Sequence, residues 1–478
     1  MRNITGGEKQ EPSIAIAIDV INPATNKIID TVPSSTKEDI NKAIKTAREK
    51  QKEWSQVSIY ERGEILLKFL KLIEKNRSDL STLLCNETGK PIKEAENEIH
   101  NLELYIQSFV EQSRHDYEKT IPSNTNPKND KSIKFTTREP LGVVVSIIPF
   151  NFPVFIFGQK VISALIMGNS VIVKPSTSSP LTICKCCNLL EESGIPKGVI
   201  NCILGEGKVV GDILSKSKDI DLITINGSIK AGKKIMENAS QNLTNISLEL
   251  GGNDPFIVDW DANINDVSEE LVQGRLYNAG QVCCASKRFI IHKKIKSEFL
   301  EAVISKVSKL KVGMPINKDT DIGCLINEEA ANLVRKQVDE TVSQGAKVII
   351  GGRKKGAFYE PTIIDNVTKD MDIMKNMEIL GPVIPICTFE TIDEAIEIAN
   401  QSEYGLTGSI FTNNMKTAFE VANRLEVSRV VINGSSVDNS VDIPLNGWKK
   451  SGIIKEGLST YLEEMSRTKI VILKDILK

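Results

Sequence analysis

The chain has 478 residues, with 60 Lys and Arg against 62 Asp and Glu for a net charge of −2. That length supports two or three hydrophobic cores without disulfides or a structural metal, and the balanced charge leaves no footprint for nucleic acid or an anionic membrane surface. Nine cysteines without framework spacing and three scattered histidines, His100, His115 and His292, point to reduced thiols in the cytoplasm and away from zinc sites and Ser-His-Asp triads.

The opening MRNITGGEKQEPS has no basic segment followed by an apolar one, so secretion is not expected. A short strand is predicted around Ile14 to Ile18. Ser35 with Glu38, and Ser58 with Glu61, have capping-box spacing. Each precedes apolar residues at helical period, Ile40, Ala43, Ile44 and Ala47 in one case and Ile65, Leu66, Phe69, Leu70 and Ile73 in the other, which predicts a mainly helical first quarter. Residues 121–129 (IPSNTNPKN) are turn-rich, and KSIKFTTRE from Lys131 alternates as an exposed strand does. Residues 141–158 (LGVVVSIIPFNFPVFIFG) are long and apolar, yet Pro149, Asn151 and Pro153 interrupt them. A strand, a loop and a buried helix fit better than a membrane span.

From there β-rich runs at Val143, Ser170, Gly198, Asp221 and Thr244 alternate with helical patterns. This is the signature of βαβ units and a mostly parallel sheet covered on both faces. A second α/β series follows, with strands near Phe289, Lys347, Val383, Ser409 and Val430, and with boundaries around Gly251 and Gly434. The terminal KIVIL is a strand without an obvious local partner, which another subunit is expected to supply.

Several segments carry chemistry. In ITINGSIKAGKKI, Gly227 and Gly232 flank four residues before Lys233, but Lys234 stands where a phosphate-binding loop needs Ser or Thr. A helix N-terminus set against a dinucleotide pyrophosphate remains open there. Gly205, Gly207 and Gly211 form a loose glycine pattern after a strand, readable equally as a plain turn. Lys174 in SVIVKPS is either a donor to ribose or phosphate or a solvated lysine. YNAGQVCCASKR places Cys283 in a glycine-led loop between a helix and a strand, where backbone N–H groups and a cation can stabilise a thiolate without histidine. Cys184, Cys186 and Cys187 lie in a helical pattern that suits packing better than metal.

From about residue 14 onward the chain resembles the aldehyde dehydrogenase superfamily. The resemblance rests on PFNFP at Pro149, KPS at Lys174, NGSIKAG at Asn226, ELGGNDP at Glu249, NAGQVCC at Asn278, EILGPV at Glu378 and LNGWKKSG at Leu445, in the family's order. VINPATNKII, ETGKPIKEA and SEYGLTGSIF match as well. It implies an α/β fold with a Rossmann-type cofactor domain (1–120 and 139–251), an α/β catalytic domain (252–435), a small β oligomerisation element (121–138 and 458–478), and a substrate or anchor loop (436–457) returning to the cofactor domain.

The resemblance also implies roles. Cys283 is the nucleophile that forms a thiohemiacetal and then a thioester. Asn151, with the backbone N–H of Cys283, holds the oxyanion, and Glu249 activates the hydrolytic water, a task helped by a carboxyl pKa raised by burial. Cofactor contacts fall to Lys174, Ser176, Thr177, Pro149, Phe150, Gly207, Gly211, Asn226, Gly227, Ser228, Gly232, Leu250, Gly251, Glu378 and Leu380. Cys284 is expected to be a bystander able to oxidise with Cys283; no metal and no histidine takes part.

Departures from the family pattern sharpen the expectation. Thr177 stands where members that prefer NAD often carry a glutamate, which implies use of both NAD and NADP with a lean to NADP. Leu380 replaces an aromatic, and LNG at Leu445 replaces FGG. The ELGGNDP form, the GQVCC loop and the ending EGLSTYLEEMSRTKIVIL are most similar to the branch of lactaldehyde, non-phosphorylating glyceraldehyde-3-phosphate, succinate-semialdehyde and phosphonoacetaldehyde dehydrogenases, which implies a small hydrophilic or anionic aldehyde, with Arg275, Ser435 and Ser436 as candidate substrate partners, and a homodimer or homotetramer. A coenzyme A-acylating enzyme and a catalytically silent relative are the alternatives; Glu249 argues against the first, and intact Cys283, Glu249 and Asn151 against the second.

Overall fold

A computed structural model describes residues 3–5, 8–10, 17–115, 118–122, 132–437, 440–453 and 457–474. Its first sheet has the strand order Glu8–Gln10, Asn3–Thr5, Ile200–Cys202, Ser170–Lys174, Val143–Ile147, Leu222–Asn226, Asn245–Glu249, Gly452–Ile453. The five central strands are parallel. Val143, Val144 and Val145, like Val171, Ile172 and Val173, are fully buried, as continuous β-branched runs require when helices cover both faces. Strand order reverses beside Val143–Ile147. The chain steps to Ser170–Lys174 and Ile200–Cys202 on one side, then to Leu222–Asn226 and Asn245–Glu249 on the other. A crevice opens at such a switch point, off the carboxyl ends of the strands.

The second sheet runs Lys347–Ile350, Thr362–Val367, Val383–Phe389, Ser286–His292, Asp254–Val258, Thr407–Phe411, Arg429–Ile432, parallel except for its first member. It has a separate core in which Phe256 packs on Phe289 and Phe411. The expected α/β architecture, a mostly parallel sheet followed by a second α/β series, is therefore the one observed. Strands at Asp254–Val258 and Thr362–Val367 were not anticipated from the sequence; Pro255 and Pro361 interrupt the pattern there.

The N-terminal region is helical as predicted, with two local corrections. The first capping box lies one residue later than the pattern suggested: Thr36 Oγ1 accepts from Asp39 N at 3.2 Å, and Thr36 N donates to Asp39 Oδ2 at 2.9 Å, which starts the helix at Lys37–Gln56. Ser35 is turned inward, where its hydroxyl accepts from Leu204 N. The box at Ser58 and Glu61 is present and begins Ile59–Lys75. An antiparallel hairpin, Ala17–Asn22 with Lys27–Pro33, precedes both helices. Residues 14–16, where the predicted strand begins, fall outside the described residues, as do residues 123–131.

The C-terminal strand Ser466–Leu473 finds its partner within the chain, which corrects the expectation of a lone strand. It pairs along its whole length with Ile133–Pro140, and Lys119–Ile121 pairs with the other side of that strand. Among the described residues no strand pairs with the far edge of Ser466–Leu473, where Ile470 and Ile472 are exposed. No helix among the described residues is long and apolar enough to cross a membrane. The apolar segment after Val143–Ile147 becomes a loop and the buried helix Pro153–Phe157.

Candidate active site

The switch-point crevice deepens into a cavity of about 960 Å³, at the upper end of the range for small-molecule sites, roughly 300–1,000 Å³. Residues just past the strand ends line it: Ile148 to Phe152, Lys174 and Ser176, Asn226 to Ser228, and Glu249 to Gly251. Cys283 and Glu378 reach it from the second sheet's side.

The loop that carries Cys283 is fixed by contacts from four directions. Asn278, Ala279 and Gly280 have consecutive positive φ values of 51°, 52° and 77°, a strained turn that persists where its surroundings over-determine it. A side chain at Gly280 would lie 2.3 Å from the Gly381 carbonyl. Glu94 accepts from Asn278 N at 2.9 Å, Gln281 Nε2 donates to Asn278 O at 3.1 Å, and Gln281 Oε1 accepts from Ile326 N at 2.9 Å. Past the turn, Lys287 Nζ donates to Cys283 O at 2.5 Å and Ser436 Oγ donates to Cys284 O at 2.7 Å. Cys283 Sγ is left at 3.0 Å from Glu249 Oε1, as donor.

Glu249 ends its strand and is buried; its other oxygen accepts from Asn226 Nδ2 on the neighbouring strand. The hydrogen bond with Cys284, burial and the Glu249 carboxylate together hold the Cys283 thiol well above the ordinary thiol range. Cys283 therefore rests as a thiol facing a carboxylate.

Asn151 donates from Nδ2 to Gln281 O at 3.0 Å. Its backbone carbonyl is clamped by Lys90 Nζ at 2.8 Å and Asn278 Nδ2 at 3.0 Å. Lys90 is ion-paired to Glu98, both fully buried, and Glu98 Oε1 accepts from Val154 N at 2.8 Å at the start of the buried helix. Removing one member of such a pair strands a buried charge, at a cost of about 3–5 kcal/mol.

Burial pushes the Glu94 carboxyl up to about 8 against the pull of Lys90 and of Asn278 N–H. A carboxyl raised on folding stabilises most while the unfolded chain also keeps it protonated, and that contribution is lost as pH rises from about 4.5 through about 8. Glu94→Gln keeps an acceptor for Asn278 N without the titration. Its Tm is expected to gain on wild type across that window when both are followed by thermal melts; parallel pH profiles would contradict the assignment.

The residues named from sequence divide into two groups. Asn151, Glu249, Cys283, Lys174, Ser176, Pro149, Phe150, Asn226, Gly227, Ser228, Leu250, Gly251, Glu378 and Leu380 all line the cavity. Lys174 is buried and not solvated, and burial lowers it to about 8. Gly232 packs under Leu250, Gly207 lies near Lys174 in a helical turn, and Gly211 and Thr177 are outside the lining. Arg275, expected as an anion partner, is instead a buried structural residue donating to the carbonyls of Val383 and Ile379. Ser435 and Ser436, expected at the substrate, are buried outside the lining; Ser435 N donates to Glu270, and Ser436 Oγ supports the Cys283 loop through Cys284 O. Cys284 lines the cavity beside Cys283. The other seven cysteines are buried, no histidine lines the cavity, and no metal-holding cluster exists among the described residues.

Lys90, Glu94, Glu98, Gln281, Lys287 and Arg429 were missed from sequence. The available signal was two carboxylates, Glu94 and Glu98, inside the apolar face of Ile92–Gln112 beside Ala95 and Ile99.

The cavity suits a dinucleotide. Ser228 caps Ile229–Ala239 so that the helix N-terminus borders the cavity, where it favours phosphate. Gly251 leaves room for the Glu378 carboxylate, since a side chain there would lie 2.2 Å from Glu378 Oε2. Asn226 Oδ1 is buried without a partner among the described residues.

The chain belongs to the aldehyde dehydrogenase family, whose model matches residues 11–471. It is an NAD(P)-dependent aldehyde dehydrogenase. It is 35% identical over 456 residues to a 3-sulfolactaldehyde dehydrogenase of Priestia megaterium, covering 95% of this chain and 94% of that one. It is 36% identical over 475 residues to a D-glyceraldehyde dehydrogenase (NADP(+)) of Picrophilus torridus, covering 97% and 95%. The crystal structure of a betaine aldehyde dehydrogenase from Staphylococcus aureus in complex with NAD+ superposes with a TM-score of 0.95 at 35% identity, covering 100% of this chain and 95% of that one.

Proposed function

We propose that Cys283 carries the aldehyde as a covalent adduct and that Glu249 serves it twice. The supporting observation is the 3.0 Å contact between Cys283 Sγ and Glu249 Oε1 in the dinucleotide cavity. The carboxylate takes the thiol proton, and the thiolate attacks the aldehyde carbon. The oxygen that becomes negative is held by the Cys283 N–H and by Asn151 Nδ2, whose second hydrogen is not the one given to Gln281 O; one such donor is commonly worth about 3–4 kcal/mol in the transition state. NAD(P)+ would be held by Lys174, Ser176, Ser228, Asn226 and Glu378, which line the cavity, and when bound would supply the hydride acceptor. Cys283 then holds an acyl thioester, and Glu249, having returned its proton to solvent, takes one from the water that hydrolyses it.

For the cofactor, the reading leans to NADP. KPSTSSP from Lys174 contains no carboxylate to repel a 2′-phosphate. Higher kcat/KM with NADP+ than with NAD+ is expected. Because burial lowers Lys174 to about 8, the NADP+ advantage is expected to shrink as pH rises past that value and the ammonium is lost; a large NAD+ preference at neutral pH would overturn the lean. Gly251→Ala is expected to raise the cofactor KM about tenfold or more, by displacing Glu378 from its bond to Gly252 N. An unchanged KM would remove Glu378 from the cofactor contacts.

The substrate in this reading is a three-carbon 2-hydroxyaldehyde. The names of the two relatives, sulfolactaldehyde and glyceraldehyde dehydrogenases, share that skeleton. Asn97, Asn101, Gln159 and Tyr277 line the cavity, and Gln159 Oε1 is buried without a partner among the described residues, which suits a substrate hydroxyl. The same reading assigns residues 1–120 and 139–251 to the cofactor, 252–435 to catalysis and 436–457 to the substrate loop. It makes 121–138 with 458–478 the assembly element of a homodimer or homotetramer, supported by the far edge of Ser466–Leu473, with which no described strand pairs. A cytoplasmic setting is supported by nine unpaired cysteines. The deciding experiment follows reduced-cofactor absorbance with each dinucleotide across a panel of short aldehydes, with products analysed in the presence and absence of coenzyme A. No turnover of any hydroxyaldehyde, or formation of an acyl-coenzyme A, would overturn the reading.

A further inference from the structure

We infer that Asn226 is the positioning residue of the general base: its amide fixes one oxygen of Glu249 so that the other stays aimed at Cys283. The inference rests on the preceding reading of Glu249 as the proton acceptor and says what keeps that acceptor in place.

Asn226 and Glu249 end two neighbouring parallel strands, Leu222–Asn226 and Asn245–Glu249, and stand in register as Cα partners. Register partners in a sheet carry their side chains on one face, side by side. Asn226 Nδ2 donates to Glu249 Oε2, and Cys283 Sγ donates to Glu249 Oε1 at 3.0 Å. The carboxylate is thus gripped at both oxygens, one by the amide and the other by the thiol. On its opposite flank the register partner is Gly452, which has no side chain to give.

Among the described residues the Asn226 side chain is committed to this one bond. A carboxylate accepts and never donates, so the amide must turn its nitrogen toward Glu249 and its oxygen away. That oxygen is buried without a partner among the described residues, in a side chain that lines the cavity at 8% exposure. Buried asparagines that serve the fold tie down backbone groups. Asn169 Nδ2 donates to the carbonyls of Ala164 and Met465, and Asn253 Nδ2 to those of Ile373 and Lys375. The Asn226 amide ties down no backbone group; its bond goes to the carboxylate that faces the thiol. Aim matters there, because displacing a reacting group by about 1 Å can cost about a hundredfold in rate.

The test is a double-mutant cycle on the full chain, with glyceraldehyde and saturating NADP+, so that a lost dinucleotide contact shows in KM and not in kcat. Asn226→Leu keeps the size of the side chain and removes the donor. It is expected to lower kcat about tenfold or more, with a burst of one reduced cofactor per site followed by slow turnover. In the Glu249→Gln background the same change is expected to cost less than about twofold, because the group it positions no longer takes a proton. An equal factor in both backgrounds would make Asn226 independent of Glu249, part of the fold or of the cofactor site alone, and overturn the inference. Unchanged kcat in Asn226→Leu, with Glu249→Gln impaired, would overturn it while leaving the role of Glu249 standing. Unchanged kcat in Glu249→Gln, or no turnover by wild type, would overturn both. Asn226→Ala takes the same place in the cycle, with the same outcomes, should Asn226→Leu melt below the assay temperature.

Discussion

Cys283→Ala is expected to abolish aldehyde oxidation, lowering kcat by about 10⁴-fold or more, because the residue supplies the bond that splits one difficult reaction into two easier ones. Alanine leaves the loop's supports intact, since Lys287 and Ser436 bind backbone carbonyls at Cys283 and Cys284 and not the Cys283 side chain. Dinucleotide binding, read by fluorescence titration, should therefore survive while turnover disappears. The competing thiol is Cys284, which also lines the cavity. Residual covalent turnover in Cys283→Ala, lost again in the double alanine variant, would transfer the nucleophile's role to Cys284.

Glu249→Gln gives the second large effect, and its kinetics separate the two tasks proposed for the carboxylate. Glutamine preserves the acceptor for Asn226 Nδ2 but takes no proton. Steady-state turnover is expected to fall by about 10²–10⁴-fold. A single burst of reduced cofactor per site precedes the stall, as acyl thioester accumulates on Cys283. The burst itself tests the first task. The Cys284 hydrogen bond and burial, the two larger causes, still hold the thiol above its ordinary range once the Glu249 charge is removed, so with its proton acceptor gone the burst in Glu249→Gln should be slow at neutral pH and quicken as pH rises and the thiol ionises unaided. A burst with wild-type speed and pH profile would confine Glu249 to hydrolysis; unchanged steady-state turnover would remove it from the mechanism.

Much of this molecule was legible as a string. The alternating β-rich and helical runs from Val143 onward carry their own periodicity, and the first parallel sheet followed from them together with the second sheet's strands other than Asp254–Val258 and Thr362–Val367. The cavity wall was legible too, because the residues forming it sit just past strand ends, where glycines and prolines punctuate the pattern: Pro149, Pro175, Gly227, Gly251. What stayed hidden depends on distance along the chain. Lys90 reaches Asn151 and Glu94 reaches Asn278 only after folding brings distant segments together, and a charged residue in a helix looks solvated until its partner is known. Arg275 failed for the converse reason. Its proximity in sequence to the nucleophile suggested a shared site, yet a helix turns its side chains through the full circle, and Arg275 faces the core. The shift from Ser35 to Thr36 shows the same limit at close range, since both residues have the chemistry of a cap and the inward contact with Leu204 decides between them.

The short strand Gly452–Ile453 carries a consequence for the life of the chain on the ribosome. It closes the edge of the first sheet by pairing with Leu248 and Glu249, and the approach is so close that a side chain on Gly452 would lie 2.0 Å from Leu248 O. Both residues proposed to react, Glu249 and Cys283, emerge during synthesis long before residue 452 does. Until then the strand bearing Glu249 has a bare edge and the carboxylate lacks one wall. A nascent polypeptide thus carries the Cys283 thiol without a finished site, and competence waits until residue 452 has emerged and that edge of the sheet is sewn shut.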